Sequence, residues 1–193
     1  LDAVPTLQRL AHNPLFKGVR PMLQDIELTD WVLNRDFLPV FEALESLNLT
    51  FDALVQPRHL EVIARLAERH PSLRLVIDHC AKPNISAGQF DDWALSIGRL
   101  ADCPNVSAKF SGLTTEARKG ESNASVYAPY LKHLFSTFGE DRVMWGSDWP
   151  VVNLSTSAQQ WFEVSEELMH GVSAGHWQKF WSQNAQVFYG LNR

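Results

Sequence analysis

Two short segments hold residues whose types and settings are suited to chemistry. The first is Asp78-His79-Cys80-Ala81-Lys82-Pro83, which closes the apolar run from Leu73 to Ile77. So apolar a run is buried, and uncompensated polarity at its end is expensive. His79 there can ligate a metal or polarise a carbonyl, or it can be a hydrogen-bonded core residue, and the segment by itself leaves both readings open. Lys82 either neutralises an anionic substrate or closes the loop. The second segment is Met144-Trp145-Gly146-Ser147-Asp148-Trp149-Pro150. Asp148 ends an aromatic-rich buried run, a costly position unless the carboxylate binds a metal or transfers protons. The competing role is a cap that accepts backbone N–H groups of the next segment. The cost of placement favours chemistry.

Five further residues complete the candidate set. Arg20 precedes Pro21, whose ring forces an extended entry into the following loop. Its guanidinium can grip a carboxylate or ring oxygen, or pair with an acid such as Asp25. Gln56, Arg58 and His59 follow another apolar run and can contact substrate; His59 is equally well read as a solvent-facing first-turn residue after Pro57. Lys109, inside a buried run, is better read as an ion-pair partner for an acid on a neighbouring strand than as a substrate contact. His12, His70, His133, His170 and His176 fall in helical patterns and read as surface residues. The Trp177, Phe180, Trp181, Val187, Phe188 stripe reads as core. Cys80 and Cys103 read as small apolar side chains.

The elements that must position these residues alternate. Five β-rich runs, Gly18 to Met22, Leu49 to Val55, Leu73 to His79, Asn105 to Ser111 and Arg142 to Asp148, read as buried strands. Helical patterns fill the gaps: Phe37, Val40, Phe41, Leu44 and Leu47 share one face, followed by Pro57 to Arg69, Gln89 to Ala101 and Ala124 to Phe138. Thr156 to Met169 and Ser173 to Tyr189 follow the last strand. Alternation predicts an α/β protein with a parallel sheet, and residues 1–193 show no linker that would divide them into two domains. No GxGxxG or GxxxxGK[ST] follows a strand, which argues against a nucleotide-binding doubly wound sheet. Arg20, Gln56, His79, Ser111 and Asp148 all fall at C-terminal strand ends, the rim at which a (β/α)8 barrel places its active site.

Composition excludes other classes. Of 193 residues, 45% are apolar and 20% charged, too apolar for disorder. A net charge of -5 without a Lys/Arg cluster speaks against a nucleic-acid partner. No window reaches the about 18 to 20 apolar residues of a membrane span, and none resembles a signal peptide. Two cysteines are too few for a disulfide scaffold, so a reduced, cytoplasmic setting is expected. The first residue is Leu1, and a helical pattern (Val4, Leu7, Leu10, Ala11) follows at once, which predicts the interior of a longer protein.

VIDHCAKP, KFSGL, VMWGSDWPV and NAQVFYGL, with GVRPMLQD near the start, closely resemble the amidohydrolase-superfamily branch that contains sugar-acid lactonases and 2-pyrone-4,6-dicarboxylate lactonase. The resemblance implies a (β/α)8 TIM barrel of which about the last five βα units are present. It places the sixth-strand histidine on His79 and the eighth-strand aspartate on Asp148. Both then become catalytic residues and metal ligands, with Arg20, His59, Gln56 and Lys82 binding substrate. A His-x-His pair at the end of the first strand belongs to the family and is missing from this sequence. Some members of the branch use a divalent metal such as zinc and others use none. The implied activity is hydrolysis of a small-molecule lactone of a sugar acid or pyrone dicarboxylate. The alternatives are a related non-oxidative decarboxylase or an inactive fragment of either enzyme. The open edges of a partial barrel tend to pair, so a homo-oligomer is a further expectation.

Overall fold

A computed structural model describes residues 3–191. Its centre is a five-stranded, all-parallel sheet: β1 (Gly18–Val19), β2 (Thr50–Ala53), β3 (Arg74–Ile77), β4 (Val106–Phe110) and β5 (Val143–Trp145). The strands lie side by side in chain order, with no point at which the order reverses. A doubly wound sheet requires such a reversal; a barrel does not. The sheet is thus an arc of a (β/α) barrel, as the alternating sequence pattern predicts.

Helices α1 (Ala3–Ala11), α2 (Leu38–Ser46), α3 (Leu60–Arg69), α4 (Asp91–Ala101), α5 (Ala124–Phe138) and α6 (Ala158–Leu168) surround it. The chain ends in a single helical run, α7 (Ala174–Gln178), a π turn over Lys179–Gln183, and α8 (Asn184–Tyr189). Side-chain alternation along the strands separates two faces. Leu75, Ile77, Ala108, Phe110 and Val143 belong to the main core with the helices. Val76 and Met144 face the other way and pack with Phe188 of α8 in a second, smaller cluster. The inner face of the arc is therefore closed at its base by the C-terminal helix.

Each strand is shorter than its apolar run, for identifiable reasons. β1 stops at Val19 because Pro21 carries no N–H for a ladder. Gly18 is required within it: a Cβ there would lie 2.1 Å from Thr50 Oγ1 of the paired strand. β3 stops at Ile77, after which His79, Cys80, Ala81 and Lys82 all take left-handed backbone, with φ of 52 to 57°. β5 stops at Trp145, and Asp148 is also left-handed, at φ 55°. A run of non-glycine residues in this region is rare and costly, and such strain concentrates at functional sites.

Three of the five histidines expected at the surface are packed instead. His70 is buried against Phe41, with Nδ1 3.3 Å from Glu45 Oε2. His133 is wedged against Phe90 and Trp93, its Nε2 2.8 Å from the Ala94 carbonyl. His176 sits on Phe135. Helical periodicity placed them on the right elements; the aromatic neighbours across the interface decide their burial. In the C-terminal stripe Phe180 and Phe188 are buried, whereas Val187 is exposed. Cys80 and Cys103 are both buried, and burial pushes the Cys80 thiol up to about 12.

Candidate functional site at the C-terminal rim

The left-handed turn after β3 carries His79 across the rim toward the ends of β4 and β5. Its Nδ1 lies 2.9 Å from Ser111 Oγ, and its Nε2 lies 3.5 Å from Asp148 Oδ1. Gly112 makes this approach possible. A Cβ there would sit 2.7 Å from His79 Cβ and Cγ, and its φ of 67° disfavours a side chain in any case. Burial holds His79 below the ordinary imidazole range, opposed by the Asp148 and Asp78 carboxylates, so it is neutral near pH 7. Burial likewise raises Asp148 above the usual carboxylate range, against the lowering influence of His79, Lys82 and Arg20. A neutral imidazole beside a carboxylate of raised proton affinity is a pair suited to proton transfer.

Charged groups surround the pair. Asp78 is fully buried, with Oδ1 2.7 Å from Lys109 Nζ and Oδ2 3.7 Å from a terminal guanidinium nitrogen of Arg20. Lys109 Nζ also lies 2.7 Å from Asp52 Oδ2, which accepts a 2.5 Å hydrogen bond from the Tyr189 hydroxyl of α8. Burial alone would lower the Lys109 ammonium, but Asp78 and Asp52 outweigh it and raise it. The acid partner of Arg20 is therefore Asp78, not Asp25; Pro21 turns the chain so that the guanidinium lies over the end of β3. Lys109 does form an ion pair, but with two acids, Asp78 just past the end of the adjacent β3 and Asp52 on β2, one strand further away. Lys82 Nζ faces Glu116 Oε1 at 3.9 Å.

Arg20, His79, Lys82 and Asp148 thus share one end of the arc. Gln56 and His59 are engaged elsewhere, in the turn after β2. The Gln56 N–H donates to His59 Nδ1 at 3.1 Å, and Gln56 Oε1 accepts from Arg58 Nε at 3.3 Å. His59 is 2% exposed, which overturns the solvent-facing reading; Pro57 starts a tight turn that folds the ring beneath its own backbone. Asp52 and Tyr189 were not singled out from sequence. A signal existed for Asp52, the single charge within the buried run LTFDALV.

A divalent ion needs three or four convergent ligands. His79 and Asp148 supply two, and among the described residues no group of three or more His, Cys, Asp or Glu side chains converges on one point. This donor set alone does not fit a metal, so no step below is routed through one. Among the described residues no helix is long and apolar enough to cross a membrane.

The family model for amidohydrolases matches residues 2–191. The chain belongs to the amidohydrolase family. Among curated proteins, this amidohydrolase chain is 44% identical over 154 residues to an L-fucono-1,5-lactonase of Burkholderia ambifaria, covering 80% of the chain and 53% of that protein. It is 31% identical over 191 residues to an L-fucono-1,5-lactonase of Burkholderia multivorans, covering 91% of the chain and 63% of that protein. The chain therefore spans only a little over half the length of these relatives. Among solved structures, an amidohydrolase of Burkholderia multivorans with bound zinc superimposes with a TM-score of 0.91 at 29% identity, over 98% of this chain and 71% of that one.

Proposed function

We propose that this chain carries the proton-transfer half of a sugar-acid lactone hydrolase. The observation behind the reading is the His79–Asp148 pair, 3.5 Å apart past the C-terminal ends of β3 and β5, which flank β4, with Asp148 raised above the ordinary carboxylate range by burial. The L-fucono-1,5-lactonase relatives supply the substrate class: a six-membered lactone of a deoxy sugar acid.

In this reading Asp148 is the general base. It takes a proton from water as the water oxygen adds to the lactone carbonyl, giving a tetrahedral oxyanion. The same carboxyl then returns the proton to the ring oxygen as the carbon–oxygen bond breaks, and the new carboxylic acid releases a proton to solvent. With the Ser111 hydroxyl donating to Nδ1, His79 presents an Nε2–H donor toward the reacting carbonyl and stabilises charge developing there. Arg20 and Lys82 hold substrate oxygens and set orientation. His59 and Gln56 shape the turn beside them.

The test is hydrolysis of L-fucono-1,5-lactone, followed by proton release, with the wild-type chain and Asp148→Asn. Loss of turnover by roughly a thousandfold or more, with an unchanged circular-dichroism spectrum and melting curve, is expected from removal of a general base that serves both half-reactions. Retained turnover in Asp148→Asn would remove Asp148 from the mechanism.

A further inference from the structure

The turn after β2 carries one side chain whose hydrogen bonding the reaction above does not use. Arg58 faces solvent, yet all five N–H groups of its guanidinium find acceptors. Nε donates to Gln56 Oε1 at 3.3 Å. One terminal nitrogen donates to the Glu27 carbonyl at 3.2 Å and to Thr29 Oγ1 at 2.7 Å. The other donates to the carbonyls of Gln24 and Ile26 at 3.3 and 2.9 Å. Four of the five acceptors belong to residues 24–29, in the loop that leaves β1, and three are backbone carbonyls. A guanidinium presents its five donors in a rigid plane, so saturating it fixes the acceptors relative to one another.

This loop begins one residue after Arg20. β1 is only two residues long and pairs with β2 through Gly18↔Thr50 and Val19↔Phe51, so the strand gives Arg20 little anchorage of its own. Beyond Pro21, the buried Leu23 side chain and the Gln24 N–H bond to the Leu54 carbonyl, 3.0 Å, tie the start of the loop to the sheet. Both converge on the stretch that Arg58 clasps.

We propose that Arg58 is a positioning residue: it fixes the loop over residues 21–34 against the end of β2 and so holds Arg20 where its guanidinium reaches Asp78 and the substrate. It touches neither substrate nor the reacting atoms. The role of Arg20 as a substrate contact rests on the lactonase reading; the clasp itself does not.

The experiment compares wild type, Arg58→Ala and Arg58→Lys by amide hydrogen exchange with mass spectrometry and by steady-state hydrolysis of L-fucono-1,5-lactone. In both variants exchange across residues 22–34 is expected to quicken by at least about tenfold, with β2, β3 and β4 at wild-type rates, because the clasp is local. KM is expected to rise about tenfold with kcat within about threefold, the signature of lost ground-state positioning. Lysine fails to rescue, since one ammonium cannot span the acceptors from Gln24 to Thr29. Unchanged exchange over 22–34, exchange that quickens equally everywhere, full rescue by lysine, or a fall in kcat at constant KM would each overturn the proposal. If wild type hydrolyses no lactone, the lactonase reading fails, while the exchange measurement still decides whether Arg58 holds the loop.

Discussion

Lys109→Met tests whether the inner face of the arc is held by charge. The ammonium lies 2.7 Å from both Asp78 and Asp52, and Asp78 is fully buried. Methionine retains most of the side-chain volume and removes only the cation. The buried Asp78 carboxylate is then left with Arg20 at 3.7 Å, through a guanidinium that is 55% exposed and screened by water. Removing one partner of a buried ion pair costs about 3–5 kcal/mol, far more than an exposed pair contributes. In a domain of this size, that loss lowers the melting temperature by roughly 6 to 20 °C. Urea titration and thermal melting followed by circular dichroism give the value directly. Replacing all three groups with apolar residues (Asp52→Leu, Asp78→Leu and Lys109→Met together) should cost less than Lys109→Met alone, because no orphaned carboxylate remains. The pH dependence has a fixed sign. The folded ammonium is raised above its unfolded value of about 10.4, so its contribution is complete below that pH and is lost as pH rises through the folded value. The gap between wild type and Lys109→Met should therefore narrow in alkali. A cost below about 1 kcal/mol at pH 7 would refute the reasoning, because it would place the trio with exposed pairs.

Other outcomes follow from the same geometry. Gly112→Ala should lose about 1–2 kcal/mol to its left-handed backbone alone and reduce kcat/KM by more than tenfold, because its Cβ meets the His79 ring; melting curves and lactone hydrolysis read the two effects separately. His79 takes up its proton at lower pH when folded than when unfolded, so its neutral burial favours the fold fully above pH about 6.5 and progressively less as pH falls below it. His79→Gln should accordingly flatten the decline of the urea midpoint between pH 7 and 5. Neither cysteine should react with a disulfide reagent at pH 8 until the protein is unfolded, since both are buried and the Cys80 thiol is raised to about 12. Arg142 donates to the carbonyls of Ala101, Cys103, Val106 and Phe138, so Arg142→Ala should cost about 2–4 kcal/mol in urea titrations by stranding acceptors around the start of β4.

Period and composition sufficed for the arrangement of elements. Apolar runs such as LRLVI are continuous because both faces of a parallel sheet are covered, and Phe41 and Leu44 recur at helical spacing because one face of α2 meets the core. Strand ends were less legible. They are set by Pro21, by the left-handed run from His79 to Lys82 and by the turn at Asp148, and only the proline announces itself in the sequence. At the rim, His79 and Asp148 stood out because polarity at the end of a buried run is costly. The partner of Arg20 did not, because Asp78 becomes its neighbour only through the pairing of β1 with β2 and of β2 with β3. His59 shows the opposite limit: its spacing from Pro57 fixes the turn but not which way the ring folds.

The sequential strand order also bears on how the chain acquires its structure. Every ladder joins a strand to the one made just before it, at separations of a few tens of residues, so the sheet can grow stepwise as the polypeptide leaves the ribosome. The last contacts are of another kind. Tyr189 reaches Asp52 across 137 residues, and Lys17 donates to the Gly190 carbonyl across 173. The inner-face ion trio can form early, but the hydroxyl that completes it arrives with the final turn of helix. Residues up to Gly190 must therefore be made before the first two strands are locked, and nascent chains stalled before α8 should hold β1 and β2 in an exchange-labile state.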